Sequence, residues 1–178
     1  VVGSWTELSS AMNVGMQVFS AGKRVFDEII GSTIEYGKQV DDLSRALGTS
    51  TEEASKLIQI SDDLRIDVGA LQTAFRIALK QGVLPNIEGL KGLATEYQNL
   101  KTPQEKAAFA LEKFGRAGLQ MQKFLELAPE QIDAMAKSAE RAGLVMSREG
   151  VEATKRYYLA IDQMGDQLNG LKINIGLK

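Results

Sequence analysis

The apolar residues of the first 47 positions follow one unbroken helical spacing. From Trp5, thirteen positions are separated by alternating steps of three and four residues, and ten of them carry large apolar side chains. These ten residues are Trp5, Leu8, Met12, Phe19, Phe26, Ile29, Tyr36, Val40, Leu43 and Leu47. Such a stripe is typical of a long helix in a coiled coil or bundle, so we expect one amphipathic helix over 1–48 that mediates self-association. Gly31 and Gly37 weaken helix propensity, so a break within 31–37 is compatible with the sequence.

Helix start and stop signals divide the rest of the chain. Gly48, Gly82 and Gly143 are expected to end helices, because glycine readily takes the left-handed conformation of a helix C-terminus. Ser50 with Glu53, and Thr102 with Glu105, each have the spacing of a capping box. Further start signals are Asp67, Pro103, Pro129 and Ser147.

The apolar spacing also predicts which faces of two later helices point inward. On the helix after Thr102, the inward residues are expected to be Ala108, Leu111, Phe114 and Leu119. We expect these on one side of the last helix: Val151, Tyr158, Ile161, Leu168 and Leu171.

No stretch alternates apolar and polar residues for long enough to predict a sheet. The sequence therefore predicts an all-α fold, with a long N-terminal amphipathic helix followed by several helical hairpins. We expect three regions along the chain. They are the heptad-patterned helix at 1–48, a helical-hairpin core region at 49–127 and a C-terminal helical pair at 128–178.

The composition excludes several kinds of chemistry. The 178 residues include no Cys and no His, which excludes disulfides, thiolate nucleophiles and Cys/His zinc sites, and removes the commonest general base. A formal net charge of −2 gives no strong field to attract nucleic acid. We therefore expect no enzyme activity, no cofactor, no metal and no sequence-specific nucleic acid. The longest uncharged stretch, Leu8–Gly22, is too short and too polar to cross a bilayer, so no transmembrane segment is expected.

Adjacent carboxylates are the first candidates for hydrolytic or metal chemistry, which needs two carboxylates that converge in one pocket. Neighbouring side chains on a helix point about 100° apart, so adjacent carboxylates converge poorly. We interpret these pairs as parts of solvated helix faces. The pairs are Asp41/Asp42, Glu52/Glu53 and Asp62/Asp63.

Four short segments follow one another in an order that is more specific than any one of them. They are LGTSTEEA at 47–54, ALKQG at 78–82, LATEY at 93–97 and the segment from TPQE to KFGR at 102–116. From about Ile34 onward, this succession resembles the core region of tail tape-measure proteins from long-tailed bacteriophages and related prophages.

The resemblance implies a section of a much longer structural protein that sets the length of the phage tail. It implies a place in the tail lumen of the virion and, during assembly, in the host cytoplasm, with release during genome ejection. The implied partners are further copies of the chain, tail tube and tail tip proteins, and tail assembly chaperones. No catalytic residues carry over. The alternative is a helical scaffold or adaptor module of another bacterial system.

Overall fold

A computed structural model describes residues 28–176, with side chains described up to Met164 and at Asp166. The chain divides into two compact units, residues 1–36 and 37–178. Five members of the predicted stripe lie outside the described residues: Trp5, Leu8, Met12, Phe19 and Phe26.

Residues 28–176 are helical with short connections and contain no strand, so the prediction of an all-α fold is confirmed. A 3-10 turn at Gly115–Ala117 separates two of the α-helices. The described helices are α1 at 28–47, α2 at Thr51–Asp63, α3 at Val68–Leu79, α4 at Ile87–Gln98, α5 at Pro103–Phe114, α6 at Gly118–Leu125, α7 at Pro129–Arg141 and α8 at Arg148–Gly176. Helix α1 continues through 31–37 without a break.

Most of the predicted helix ends are present. Gly48, Gly82 and Gly143 have positive φ angles of 65°, 81° and 71°, the backbone conformation that favours glycine. Thr102 and Glu105 form a complete capping box at the start of α5. Side chains therefore satisfy backbone groups that a helix terminus leaves without an intrahelical partner.

The capping box predicted at Ser50 and Glu53 is only half formed. Ser50 Oγ accepts the N–H of Glu53 at 3.1 Å, as a cap should. The carboxylate of Glu53 instead accepts the N–H of Ile87, the first residue of α4, at 2.9 Å. A tertiary contact has therefore replaced the local bond of the capping box.

The core of the unit 37–178 forms where α3, α5 and α6 meet, and α7 packs across α2 and α4. Phe75, Phe114 and Phe124 are fully buried there. The rings of Phe75 and Phe114 lie 6.3 Å apart with a 72° angle between their planes, which is the edge-to-face arrangement that aromatic pairs favour. Aromatic packing thus joins α3 to the end of α5.

The predicted inward face of α5 is right for Phe114 and wrong for Ala108 and Leu111. Ala110 and Phe114 are buried, whereas Ala108 is exposed and Leu111 is 49% exposed. Residues 110 and 111 lie about 100° apart on the helix, and the packing of Phe114 against Phe75 selects the face that contains Ala110. Leu119 belongs to α6 and is 66% exposed.

Some helix ends are also held by side chains from other helices. Gln81, just after α3, donates from Nε2 to the carbonyl of Glu112 in α5 at 2.7 Å. Lys123 in α6 donates from Nζ to the carbonyl of Leu64 at the end of α2 at 3.0 Å. Because these carbonyls belong to the last turns of their helices, the bonds satisfy acceptors that the helices themselves leave open.

Helix α8 starts beside the end of α1 and runs back along it. Gly37 lies against Thr154, so closely that a Cβ on Gly37 would come within 3.1 Å of the Thr154 Cβ. Asp41 is ion-paired with Lys155 at 2.9 Å. Val151, on the same helix, is 1% exposed, so the start of α8 contributes one side chain to the core.

Candidate interaction surfaces

Two polar grooves in the unit 37–178 collect most of the partly buried charged side chains. The first has a volume of about 320 Å³ and lies among α2, α4 and α7. Lys56 Nζ lies 3.2 Å from Glu53 Oε1 and 2.7 Å from Glu140 Oε1. The hydrogen bond with Glu140 raises the pKa of Lys56, and the same bond lowers the pKa of Glu140. Both shifts favour the charged forms, so this contact links α2 to α7 as an ion pair.

A second ion pair links α7 to α4 in the same groove. Lys91 Nζ lies 2.9 Å from Glu88 Oε1 and 3.0 Å from Asp133 Oδ1. The hydrogen bond with Glu88, followed by the one with Asp133, raises the pKa of Lys91. Lys56 and Lys91 thus each bind two carboxylates. These ion pairs connect α2, α4 and α7.

The second groove has a volume of about 500 Å³ and lies among α1, α2 and the start of α8. Asp41 accepts from Arg45 Nε at 3.0 Å and from Lys155 Nζ at 2.9 Å. Burial raises the pKa of Asp41, but the hydrogen bonds from Lys155 and Arg45 outweigh burial, so the pKa lies below its usual value. The groove therefore attaches α8 to α1 through a charged carboxylate.

Glu52 supplies a further contact in the second groove. The pKa of Glu52 lies below its usual value, mainly because its own backbone N–H donates to the carboxylate. Burial raises this pKa, and hydrogen bonds from the hydroxyls of Thr51 and Ser50 and from the backbone N–H of Arg148 lower it further. Arg148 is the first residue of α8, so the Glu52 carboxylate sits at the positive end of that helix. The N-terminus of α8 is therefore already in contact with a carboxylate of the same chain.

Ser55 is the buried polar residue that connects α2 to the segment before α8. It is 0% exposed, donates to the carbonyl of Thr51 at 2.8 Å and accepts the N–H of Met146 at 3.1 Å. Ser61 is equally buried in α2, but it donates to the carbonyl of Leu57 in its own helix. Ser55 therefore holds a connection between helices, and the Ser61 bond is local.

The three carboxylate pairs do not converge on a reaction centre. Asp41 pairs with cations, Glu52 and Glu53 serve helix starts, and Asp62 and Asp63 are exposed at the end of α2. In the part of the chain with described side chains, no three Asp or Glu residues are grouped closely enough to hold a metal ion. None of the described helices combines the length and apolar character needed to cross a membrane. Of these carboxylates, Asp41, Glu52 and Glu53 link helices to one another.

Members of the predicted self-association stripe have different environments. Val40, Leu43 and Leu47 are 0%, 2% and 4% exposed inside the unit 37–178. Ile29 is 58% exposed, and Tyr36 is half-buried. The last three members thus pack within one chain, and self-association through the stripe stays a prediction.

The apolar surface that stands out among the described residues is on α8. Beyond Lys155 the helix carries large side chains that are exposed by 41–62%. They are Tyr157, Tyr158, Leu159, Ile161 and Met164. Tyr158 and Ile161 were predicted on the same side of the helix as Val151, but of these three only Val151 is buried. The side chains of Leu168 and Leu171, predicted on the same side, lie outside the described residues. The alternating steps of four and three at Tyr157, Ile161, Met164 and Leu168 are the sequence signal that indicates this face.

Replacing Ser55 by Ala is expected to lower the free energy of unfolding by about 1–3 kcal/mol, because the Met146 N–H loses its acceptor. Ser61→Ala is the matched control, since it removes an equally buried hydroxyl from the same helix and breaks only a bond to Leu57. Urea unfolding curves of both variants measure the difference. Equal losses would show that the bond to Met146 contributes nothing specific.

The lowered pKa of Asp41 predicts how the free energy of unfolding depends on pH. Its folded pKa is lowered, so its contribution is present above the unfolded pKa, near 3.9, and is lost as pH falls through the folded value. We expect Asp41→Asn to be less stable than the wild type at pH 7, with a gap that narrows below about pH 4. Asp42→Asn removes the same charge from an exposed neighbour. Unfolding curves between pH 7 and 3 test this, and a gap that stays constant would contradict it.

Searches with protein-family profiles, among curated proteins and among solved structures each found no match for this chain.

Proposed function

We propose that this chain is a section of a phage tail tape-measure protein, a structural protein that sets tail length, occupies the tail lumen and is released during genome ejection. The observation that carries the proposal is the ordered succession of motifs over residues 47–116, which resembles the core region of that family. Each of those motifs contains or adjoins a helix end, as in the caps at Ser50 and Thr102 and the stop at Gly82.

The character of the two grooves supports a structural role. Their lysines and carboxylates bridge helices, and the side chain of Glu52 occupies the helix start that faces the second groove. Such an arrangement stabilises helix packing and supplies no activated nucleophile or general base of the kind that catalysis requires. The proposed partners are further copies of the chain, tail tube and tail tip proteins, and tail assembly chaperones.

Tail length in an assembled phage tests the proposal directly. If residues 49–127 are extended as helix in the lumen, their in-frame deletion from the parent gene shortens the tail by about 120 Å, at 1.5 Å per residue. An in-frame duplication of the same segment is the matched control and lengthens the tail by the same amount. Electron microscopy of purified particles measures both. Tails of unchanged length in both variants, or particles that lack the protein, would overturn the proposal.

A protein that sets tail length by its own length must be extended in the tail, so the chain needs an extended state besides the compact one. All 178 residues as one continuous helix would span roughly 270 Å, whereas turns such as the one at Gly82 fold the described residues into hairpins. We propose that the chain is extended in the tail lumen and compact after release. Hydrogen exchange at the amides of Ile87 and Met146 should then differ between assembled tails and the isolated chain, because their bonds across helices exist only in the compact state. Identical protection in both samples would rule out the extended state.

The alternative function is a helical scaffold or adaptor module of another bacterial system. The exposed apolar part of α8 favours it, because such a surface suits a partner helix in any assembly. The tail-length experiment separates the two functions, since an adaptor has no proportional effect on tail length.

A further inference from the structure

The helical spacing of α1 continues in phase through the next two helices. Followed beyond Leu47 in the same alternating steps of three and four, it passes the turn after α1 and the turn between α2 and α3. We name twelve of these positions the continuous stripe, and nine of them are buried. They are Val40, Leu43, Leu47, Ser50, Ala54, Leu57, Ser61, Leu64, Val68, Leu71, Phe75 and Ala78.

The third turn ends this phase. Beyond Ala78 the next four positions at the same spacing are all Gly or Pro, and they are Gly82, Pro85, Gly89 and Gly92. Helices that only fold back on one another can be joined by turns of any length, whereas a coiled coil needs one unbroken apolar face. A phase that is kept across two turns and lost at the third therefore indicates that α1, α2 and α3 can also form a single helix.

The turn between α2 and α3 has a backbone conformation that its sequence does not favour. Arg65 has a φ angle of 54°, in the left-handed region that favours glycine. Elsewhere in residues 28–176, positive φ angles occur at glycine. The turn contains no Gly or Pro from Leu64 to Asp67, so its residues are compatible with a helix. Straightening this turn would relieve the strain at Arg65.

The carbonyl groups of this turn would keep hydrogen-bond donors in a continuous helix. Lys123 Nζ, from α6, lies 3.0 Å from the carbonyl oxygen of Leu64 and 3.4 Å from that of Arg65. In a continuous helix the same two carbonyls would accept the N–H groups of Val68 and Gly69, four residues later. Straightening therefore exchanges one lysine for two backbone donors and leaves neither carbonyl without a partner.

We propose that α1, α2 and α3 are segments of one potential helix, which is bent at Gly48 and Arg65 in the compact state and straight in an extended state. In the compact state the continuous stripe supplies core residues from three helices. After straightening, the stripe lines one face of a single helix over residues 28–79, about 78 Å long. The inference rests on the proposed function for its role in a tail, but its test needs only the purified chain.

The distance between two spin labels reports whether this segment is bent or straight. The chain has no cysteine, so labels can be attached to cysteines introduced at Asp42 and Arg76, which are both exposed. These positions are 34 residues apart, which corresponds to about 51 Å along one helix. Trifluoroethanol expands proteins and favours helix. We expect a shorter distance in water and, as trifluoroethanol is added, a narrow peak at the length of the single helix.

A label pair at Asp62 and Glu96 is the matched control. These exposed positions are also 34 residues apart, but the segment between them includes Gly82 and Pro85. The residue before a proline disfavours helical backbone angles, and the continuous stripe ends before this point. In trifluoroethanol we therefore expect a broad distribution at shorter distances for the control pair.

Two substitutions at the bends, made in the chain labelled at Asp42 and Arg76, should act in opposite directions. Arg65→Gly suits the bend and weakens the straight helix, so it should lower the ratio of straight to bent chains about tenfold or more. Gly48→Ala disfavours the positive φ angle of the bend and favours helix, so it should raise this ratio by a similar factor. A Cβ at Gly48 would meet no atom within 4 Å, so the effect comes from the backbone.

Three results would overturn the proposal. They are the absence of a narrow peak at the single-helix length for the first label pair, the same narrow peak for both pairs, or substitutions that do not shift the ratio in opposite directions. Because the measurement uses the purified chain, a failure here leaves the tail-length experiment to decide the proposed function. Unchanged tail lengths would likewise leave this result standing.

Discussion

Replacing Phe75 by Ala is expected to lower the free energy of unfolding by about 3–5 kcal/mol. The side chain is fully buried in α3, and its ring contacts that of Phe114 edge-to-face. Truncation removes both the burial of the ring and this aromatic contact, and it leaves a cavity between α3 and α5. Since small domains are typically stable by about 5–15 kcal/mol, the variant should unfold at much lower urea concentrations.

Phe109→Ala is the matched control for this prediction. Phe109 also contacts an aromatic ring, that of Tyr97 at 6.1 Å, but it is only half-buried on α5. The same truncation there should have a clearly smaller effect, because part of the ring is already in water. Urea unfolding monitored by circular dichroism measures both variants. A loss at Phe109 as large as that at Phe75 would contradict the core described here.

Replacing Gly118 by Ala is expected to lower the free energy of unfolding by about 3 kcal/mol, at the upper end of the usual effect of overpacking. A Cβ at this position would overlap the carbonyl oxygen of Ala110 and would lie 2.6 Å from its carbonyl carbon and 2.9 Å from Leu111 N. These are backbone atoms of α5, so no side-chain rotation relieves the overlap. The two helices must move apart, which opens the contact between α5 and α6.

Gly92→Ala is the control because it makes the same chemical change where there is room. Gly92 lies inside α4, and a Cβ there would meet nothing within 4 Å. Alanine is the better helix former, so this variant should be more stable than the wild type by roughly 0.5–1 kcal/mol. Opposite signs for the two substitutions, measured by thermal or urea unfolding, are the expected result. Destabilisation of equal size in both would contradict the close approach at Gly118.

Helix ends were the part of this fold that could be predicted from sequence. Glycine stops and side-chain caps depend on residues within a few positions of one another, so Gly82, Asp67 and the Thr102–Glu105 pair can be identified by spacing. The same local signals do not predict how the helices pack against one another. Neither the inward face of α5 nor the contact between α5 and α6 follows from local spacing.

Interactions between distant parts of the sequence explain the errors. Glu53 has the spacing of a capping residue, yet its carboxylate bonds to Ile87, 34 positions later in the chain. The face of α5 is selected by Phe75, and the role of Ser55 depends on Met146. The exposure of Tyr158 is likewise a tertiary property, because Val151 has the same helical spacing and is buried. Spacing identifies which residues share a face, and packing decides what that face meets.

The way α8 runs back along α1 has a mechanical consequence. Because Gly37 lies against Thr154 and Asp41 against Lys155, the chain enters and leaves the compact body on the same side. Tension applied to the chain on both sides of that body would peel α1 from α8 contact by contact, starting at Gly37 and Thr154. Contacts broken in succession resist less force than contacts loaded together. A body that is stable at rest would thus open under a low force applied at these two ends.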